Sequence, residues 1–280
     1  MPGDRALALA ARLLVDAIVP LAVAVVVVSF LTDPAHIDTS DLRANTLLMH
    51  TRPLFRDTPG DQLRGAIGAS AVLLLVAMAG AISLGVISGI TYAWSRNRLF
   101  RGIAWSVATV FASLPAFFWA VALELGVIFL WIQYRIDLLP VAGYGIDEHL
   151  ILPALALGLR PAAYIFRLTA IAVDDIRHAD YVRTAIAKGI GVRALLVRHV
   201  LPNAAPNIIA ATVLATRGAL SSLVIVEYVF IWGGGGLTFV QALGNRRLEL
   251  AAQLAVSFAV ASIVLTVAAA AARSRVRVAA

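Results

Sequence analysis

The chain has 280 residues, of which 61% are hydrophobic and 14% charged, with a net charge of +7 and no cysteine. A soluble domain carries about 25% charged residues, so this chain has too little polar surface to cover itself in water and its natural solvent is a bilayer. The missing cysteines exclude disulfides, thiolate metal sites and a cysteine nucleophile, and the excess of basic residues reads as a topology signal rather than as nucleic-acid binding.

The first apolar segment runs from Leu7 to Leu31 and ends in the stretch Ile18–Leu31. No Ala-x-Ala site closes it and further apolar segments follow, which favours a retained helix (residues 1–32) over a cleaved signal peptide. Residues 33–64 read as a loop with turn-forming Pro34, Pro53, Pro59 and Gly60 and no periodicity. The remainder, 65–280, holds five more stretches of about 20 or more apolar residues. They cover 65–95, 102–134 (interrupted by Glu124), 150–173 (with Arg160 and Arg167), 204–230 (with Arg217 and Glu227) and 250–272. The expected fold is therefore an all-α membrane protein of about six transmembrane helices.

Alternate loops differ in charge. Arg5, Arg12, Arg96, Arg98, Arg101, Arg177, Arg183, Lys188, Arg193, Arg198, Arg273, Arg275 and Arg277 fall on one side, against Arg43, Arg52, Arg56, Arg64, Arg135, Arg246 and Arg247 on the other. The richer side is expected in the cytoplasm, together with both termini.

On that side lies the loop 174–203, between the fourth and fifth spans. Ala179, Val182, Ala185 and Ile186 recur at helical spacing as one apolar stripe. Asp180 suits the start of a helix, and Gly189 its left-handed stop. A second short helix over about 192–200 is expected to end before Pro202. Pattern alone equally allows an amphipathic pair that merely anchors the loop to the membrane surface.

The wording of this loop is more specific. Gly189 is followed at a fixed distance by Leu201-Pro202, and Asp180-Tyr181, Thr184-Ala185, Ala187 and Lys188-Gly189 resemble the EAA loop of binding-protein-dependent ABC importer permeases in its peptide/nickel version. Arg183 stands in the general motif's Glu position, and Ile186 replaces a basic residue. Leu152-Pro153-Ala154-Leu155 with Arg160 and Arg167, Leu114-Pro115 with Phe117, and Val226-Glu227-Tyr228-Val229-Phe230 resemble other segments of the B-type member. The resemblance spans about residues 66–250. The first loop opens on Asp33-Pro34, four glycines (Gly233, Gly234, Gly235, Gly236) replace Pro-Gly-x-Gly, and an Asp-Pro-Arg near the C-terminus is missing.

The resemblance implies a type I importer permease. Its cytoplasmic coupling helix would meet ATPase partners through Asp180, Tyr181, Arg183, Thr184, Ala185, Lys188, Gly189, His199, Leu201, Pro202 and Asn203. It also implies a second, C-type permease, two ATPase domains carrying ATP and magnesium, an external binding protein and an inner-membrane location. Oligopeptides or dipeptides are the implied cargo, with nickel or another metal chelate as the alternative. This chain has no P-loop of its own: its only lysine, Lys188, stands between Ala187 and Gly189.

Other readings remain open on the residues. An ion-coupled carrier would show an internal repeat or buried carboxylates, and a membrane scaffold would make no use of the 180–203 spacing. Arg160 and Arg167, seven apart, share a helix face that could line a path, while Arg167 alone could reach the headgroups. Glu124 and Arg217 could pair between helices. Glu227 precedes Gly233–Gly236, which reads as an outer gate hinge or as a turn into a short re-entrant segment. His36, His50 and His149 show no ligand spacing, so no metal site is expected, and His178 adds none.

Overall fold

The computed structural model describes residues 59–278, which fold as helices joined by connections that are short except for residues 135–147. The expected first span and the loop up to residue 58 lie outside the described residues. Among the described residues, five helical segments are long and apolar enough to cross a membrane: Gly60–Trp94, Ala116–Tyr134, Glu148–Arg177, Val192–Val229 and Leu248–Leu265.

Helix α1 (Pro59–Trp94) packs along α4 (Ile151–Arg177), and this is the most extensive helix pair of the fold. Small residues set the distance between them. A Cβ on Gly85 would lie 2.8 Å from the Ala162 carbonyl oxygen, and one on Gly89 2.8 Å from the Thr169 Cβ. Close backbone approach of this kind substitutes for the hydrophobic drive that lipid removes.

The apolar stretch read as one span over 102–134 is two helices, α2 (Arg98–Ser113) and α3 (Ala116–Tyr134). Leu114 is extended (φ −94°, ψ 139°) and Pro115 caps α3. The proline forces the residue before it out of the helical region, and this outweighs the continuous apolarity. Helix α2 begins at Asn97, whose Oδ1 accepts from the Leu99 and Phe100 amides at 2.9 and 3.3 Å.

After α4 comes the short helix α5 (Asp180–Ala187), then one turn, α6 (Val192–Leu195). A wider π-type turn, Leu196–Val200, runs straight into α7 (Leu201–Val229). The second helix of the loop therefore does not end before Pro202. Pro202 has no amide hydrogen and its ring crowds the preceding turn. The chain widens there, with the Leu201 amide reaching back to the Leu196 carbonyl, and the helix continues. Helices α8 (Gly235–Gly244) and α9 (Leu248–Val278) complete the described chain.

The main core joins α1, α3, α4 and α7 through Leu73, Ala120, Leu157, Ile165, Leu223 and Val226. A second cluster at the α5 end joins Ala93, Val173, Val182, Leu195 and Val200.

Candidate functional site

Helix α5 is short, so its ends decide whether it forms. Ala179 enters in extended conformation (ψ 148°), Asp180 sits in the first turn, and the Thr184 hydroxyl donates to the Asp180 carbonyl at 2.9 Å. At the other end Gly189 has φ 79°. Its amide donates to the Ile186 carbonyl at 2.9 Å, and the Ile190 amide to the Ala185 carbonyl at 3.2 Å. These two bonds form a Schellman stop, which favours glycine at the left-handed position.

The helix shows two faces. Val182 (0% exposed) and Ala185 turn inward onto Ala93, Val173 and Leu195. Asp180, Tyr181, Arg183, Thr184, Lys188 and Gly189 are exposed. Ala185, read from the motif as a coupling residue, is thus part of the anchor. Ile186, placed on the apolar stripe by its spacing, is 55% exposed: the stripe that the bundle covers is only one residue wide per turn. Further on, Pro202 and Asn203 are exposed while His199 and Leu201 are half-buried, and the Asn203 amide donates to the His199 carbonyl at 2.6 Å.

The α5 end is tied by charges that the sequence reading passed over. Asp174 pairs with Arg177 at 3.1 Å and with Arg101 of α2 at 3.9 Å, and Arg177 also donates to the Ala93 carbonyl of α1. The three-residue spacing of Asp174 and Arg177 was a visible signal; their reach to α1 and α2 was not. Arg167 lies over the Trp105 ring, 5.2 Å from its centroid, and Arg101 over Tyr92 at 4.7 Å.

Arg160 takes a different environment from Arg167, although they share one side of α4. It lines a cavity of about 230 Å³ with Ala116, Pro161, Tyr164, Leu214 and Gly218. A neighbouring cavity of about 410 Å³ shares Tyr164 and Leu214 and holds Arg217 and Asp175. The two form one groove along α4 and α7. Among the described residues no ion pair joins Glu124 to Arg217, and Glu124 is half-buried on α3.

Glu227, at the far end of α7, is fully buried. Its Oε1 accepts from the Ser70 hydroxyl of α1 at 2.5 Å, and its Oε2 from the amides of Gly236 and Leu237 at 2.6 and 3.3 Å. The Ser70 oxygen in turn accepts from the Gly235 amide at 2.8 Å. Gly233 and Gly234 lie buried in the turn before α8 and Gly235 and Gly236 in its first turn, and Trp232 donates to the Ala69 carbonyl at 3.0 Å. The carboxyl group thus holds the amides that open α8, where they have no partner within the helix. Just before α4, Asp147 accepts from the His149 backbone and ring, and these bonds hold its carboxyl below the usual aspartate range. Among the described residues no group of three or more metal-ligating side chains is gathered.

Residues 81–278 match the family described as binding-protein-dependent transport system inner membrane component. The dipeptide transport system permease protein DppB of Alkalihalophilus pseudofirmus is 32% identical over 207 residues, covering 64% of this chain and 61% of that protein. DppB of Bacillus subtilis is 30% identical over 211 residues, covering 75% and 66%. The glutathione transport system permease protein GsiC of Escherichia coli K12 is 31% identical over 175 residues, covering 62% and 55%. The chain therefore spans somewhat less than two thirds of these relatives. Among solved structures, a crystal structure of an amino acid ABC transporter with histidines superimposes with a TM-score of 0.56 at 17% identity, over 76% of this chain and 94% of that one. That likeness concerns the fold alone.

Proposed function

This chain belongs to the family of binding-protein-dependent transport system inner membrane components, and from that premise we propose that it is a permease subunit of an ATP-driven importer of oligopeptides or dipeptides. The observation that carries the reading is α5: a capped short helix whose inner face is locked to α1, α4 and α6 while its polar face stays free. The peptide cargo is supported by the relatives named for dipeptide and glutathione transport.

In this reading α5 lies in the cytoplasm and docks on an ATPase partner through Asp180, Tyr181, Arg183, Thr184, Lys188 and Gly189, with His199 and Leu201–Asn203 behind it. A second permease completes the solute path, and an external binding protein delivers cargo at the opposite end, where Glu227 and Gly233–Gly236 lie. Closure of the ATPase pair moves α5, and the rigid packing of α5 on α4 and α7 turns that motion into a switch between two states of the path. The chain itself is no enzyme.

Gly189→Arg tests the coupling. A side chain at Gly189 meets open space, so the variant costs only the left-handed strain of about 1–2 kcal/mol while placing a bulky cation on the docking face. The expected outcome is a normal amount of protein in the membrane with peptide-stimulated ATP hydrolysis of the whole transporter lost. Stimulation at the wild-type level overturns the assignment.

A further inference from the structure

The groove along α4 and α7 holds two cations that nothing in the described fold neutralises. Arg160 lies nine residues into α4 from Ile151, and Arg217 twelve residues before the end of α7 at Val229. At 1.5 Å per residue both stand roughly 14–18 Å from the same end of the bundle, well inside the apolar spans. Arg101 and Arg177 reach Asp174, and Arg167 rests on Trp105. The Arg160 and Arg217 guanidinium groups make no ion pair, side-chain hydrogen bond or ring contact among the described residues. An unpaired arginine at that depth is costly unless it faces water or a partner, and each guanidinium has five donors to satisfy.

The surroundings leave that place open. Ala112, Ala116, Ala215, Gly218 and Ala219 wall the Arg160 cavity, with the hydroxyls of Tyr164 and Ser222 as its other polar side chains, and no carboxylate lies on that lining. Asp175, at the α5 end of the neighbouring cavity, is the one carboxylate on either lining. Pro161 also withholds the amide that would bind the Leu157 carbonyl four residues earlier, and both residues line the same cavity. A groove with small apolar walls and two successive free guanidinium groups suits a mobile anion of modest size. A planar fork of donors favours a carboxylate held by two bonds.

We propose that the α4–α7 groove is this chain's share of the solute path and that Arg160 and Arg217 are successive subsites in it for a carboxylate of the transported solute. The identification of that solute as a peptide rests on the permease reading above. Lysine can replace arginine as a charge here, whereas glutamine cannot.

This chain has no cysteine, so a direct test is possible in the complete transporter assembled with cysteine-free partner subunits. Gly218→Cys puts one thiol in the groove at a position where a Cβ meets nothing within 4 Å. Its reaction rates with negatively charged sulfonatoethyl and positively charged trimethylammonioethyl methanethiosulfonate report the local charge. Adding Arg160→Gln or Arg217→Gln is expected to lower the anion-to-cation rate ratio about tenfold, since a charged, low-dielectric cleft concentrates counter-ions by that order or more. Arg160→Lys is expected to keep the ratio. In parallel, uptake of dialanine should fall with each glutamine variant, while uptake of its C-terminal amide should change little.

A ratio that stays constant alongside normal wild-type dialanine uptake overturns the groove assignment alone, because the arginines are then neutralised elsewhere. The same holds if Arg160→Lys loses the ratio, which marks a packing role. A ratio that falls in a wild-type background unable to take up any peptide overturns the peptide reading and the carboxylate cargo with it.

Discussion

Glu227 offers two oxygens to three donors, the Ser70 hydroxyl and the amides of Gly236 and Leu237, and so joins α1, α7 and the start of α8 at one point. Glu227→Ala leaves those donors buried without an acceptor, at a cost of about 3 kcal/mol or more. The expected result is a clear drop in the thermal midpoint of the purified chain, with Glu227→Gln intermediate because it keeps one acceptor oxygen. An unchanged midpoint in the alanine variant contradicts the node. The glycines beside it separate by the space each one has. A Cβ on Gly236 would lie 2.5 Å from the Val224 backbone, whereas one on Gly235 meets only side-chain atoms at 3.3–3.4 Å. Gly236→Ala therefore forces α8 off α7, at about 1–3 kcal/mol, and Gly235→Ala should be nearly neutral in the same melting measurement. Equal effects would show that the four glycines act as a flexible run rather than through close packing. Sequence reading found Glu227 and the glycines but not Ser70, which lies 157 residues away and carries no local signal.

At the scale of the element, the long apolar spans and the short helix α5 were legible, because 20 apolar residues and a Schellman glycine are local patterns. Two features were hidden. The break at Leu114–Pro115 sits inside an apolar run with no charge from Gly102 to Leu123, where composition argues for continuity and only the proline argues against it. At Pro202 the reverse occurs: the proline signals a stop, yet the π turn Leu196–Val200 absorbs it and carries α6 into α7. Helix α5 thus couples to a continuous segment from Val192 to Val229 that ends at the Glu227 node. This separates anchoring from docking. Val182→Asp sets a carboxyl group with no partner into the cluster of Ala93, Val173 and Leu195, and should lower the thermal midpoint sharply, by about 3 kcal/mol of stability. Tyr181→Ala trims a ring that is 46% exposed and should leave the midpoint in place. If Tyr181 anchors the ATPase partner, its loss lowers peptide-stimulated hydrolysis about tenfold, as for a buried aromatic anchor. A Tyr181→Ala transporter with full stimulation removes that residue from the interface.

At the scale of the molecule, the two ends of the bundle are unlike. The α5 end carries Arg96, Arg98, Arg101, Arg177, Arg183, Lys188, Arg193 and Arg198, and the opposite end, among the described residues, Arg64, Arg135, Arg246 and Arg247. The Arg177 bond to the Ala93 carbonyl ties the ends of α4 and α1 at the α5 end, and at the opposite end Arg247 donates to the Gln62 side chain at 3.1 Å and the Gly143 amide to the Phe230 carbonyl at 2.9 Å. Basic residues resist translocation during insertion, so the α5 end should face the cytoplasm. The absence of cysteine makes single-thiol labelling unambiguous. Gly191 is exposed beside α5, with nothing within 4 Å of an added Cβ, and Ile146 is 71% exposed at the other end. With a membrane-impermeant maleimide, Ile146→Cys should label in intact spheroplasts and Gly191→Cys only in inverted vesicles. The opposite pattern would place α5 outside, away from any source of ATP, and would sink the orientation and the coupling role of α5 together. The arginine groove would survive that result, because its argument depends on depth in the bilayer and not on which face is inward.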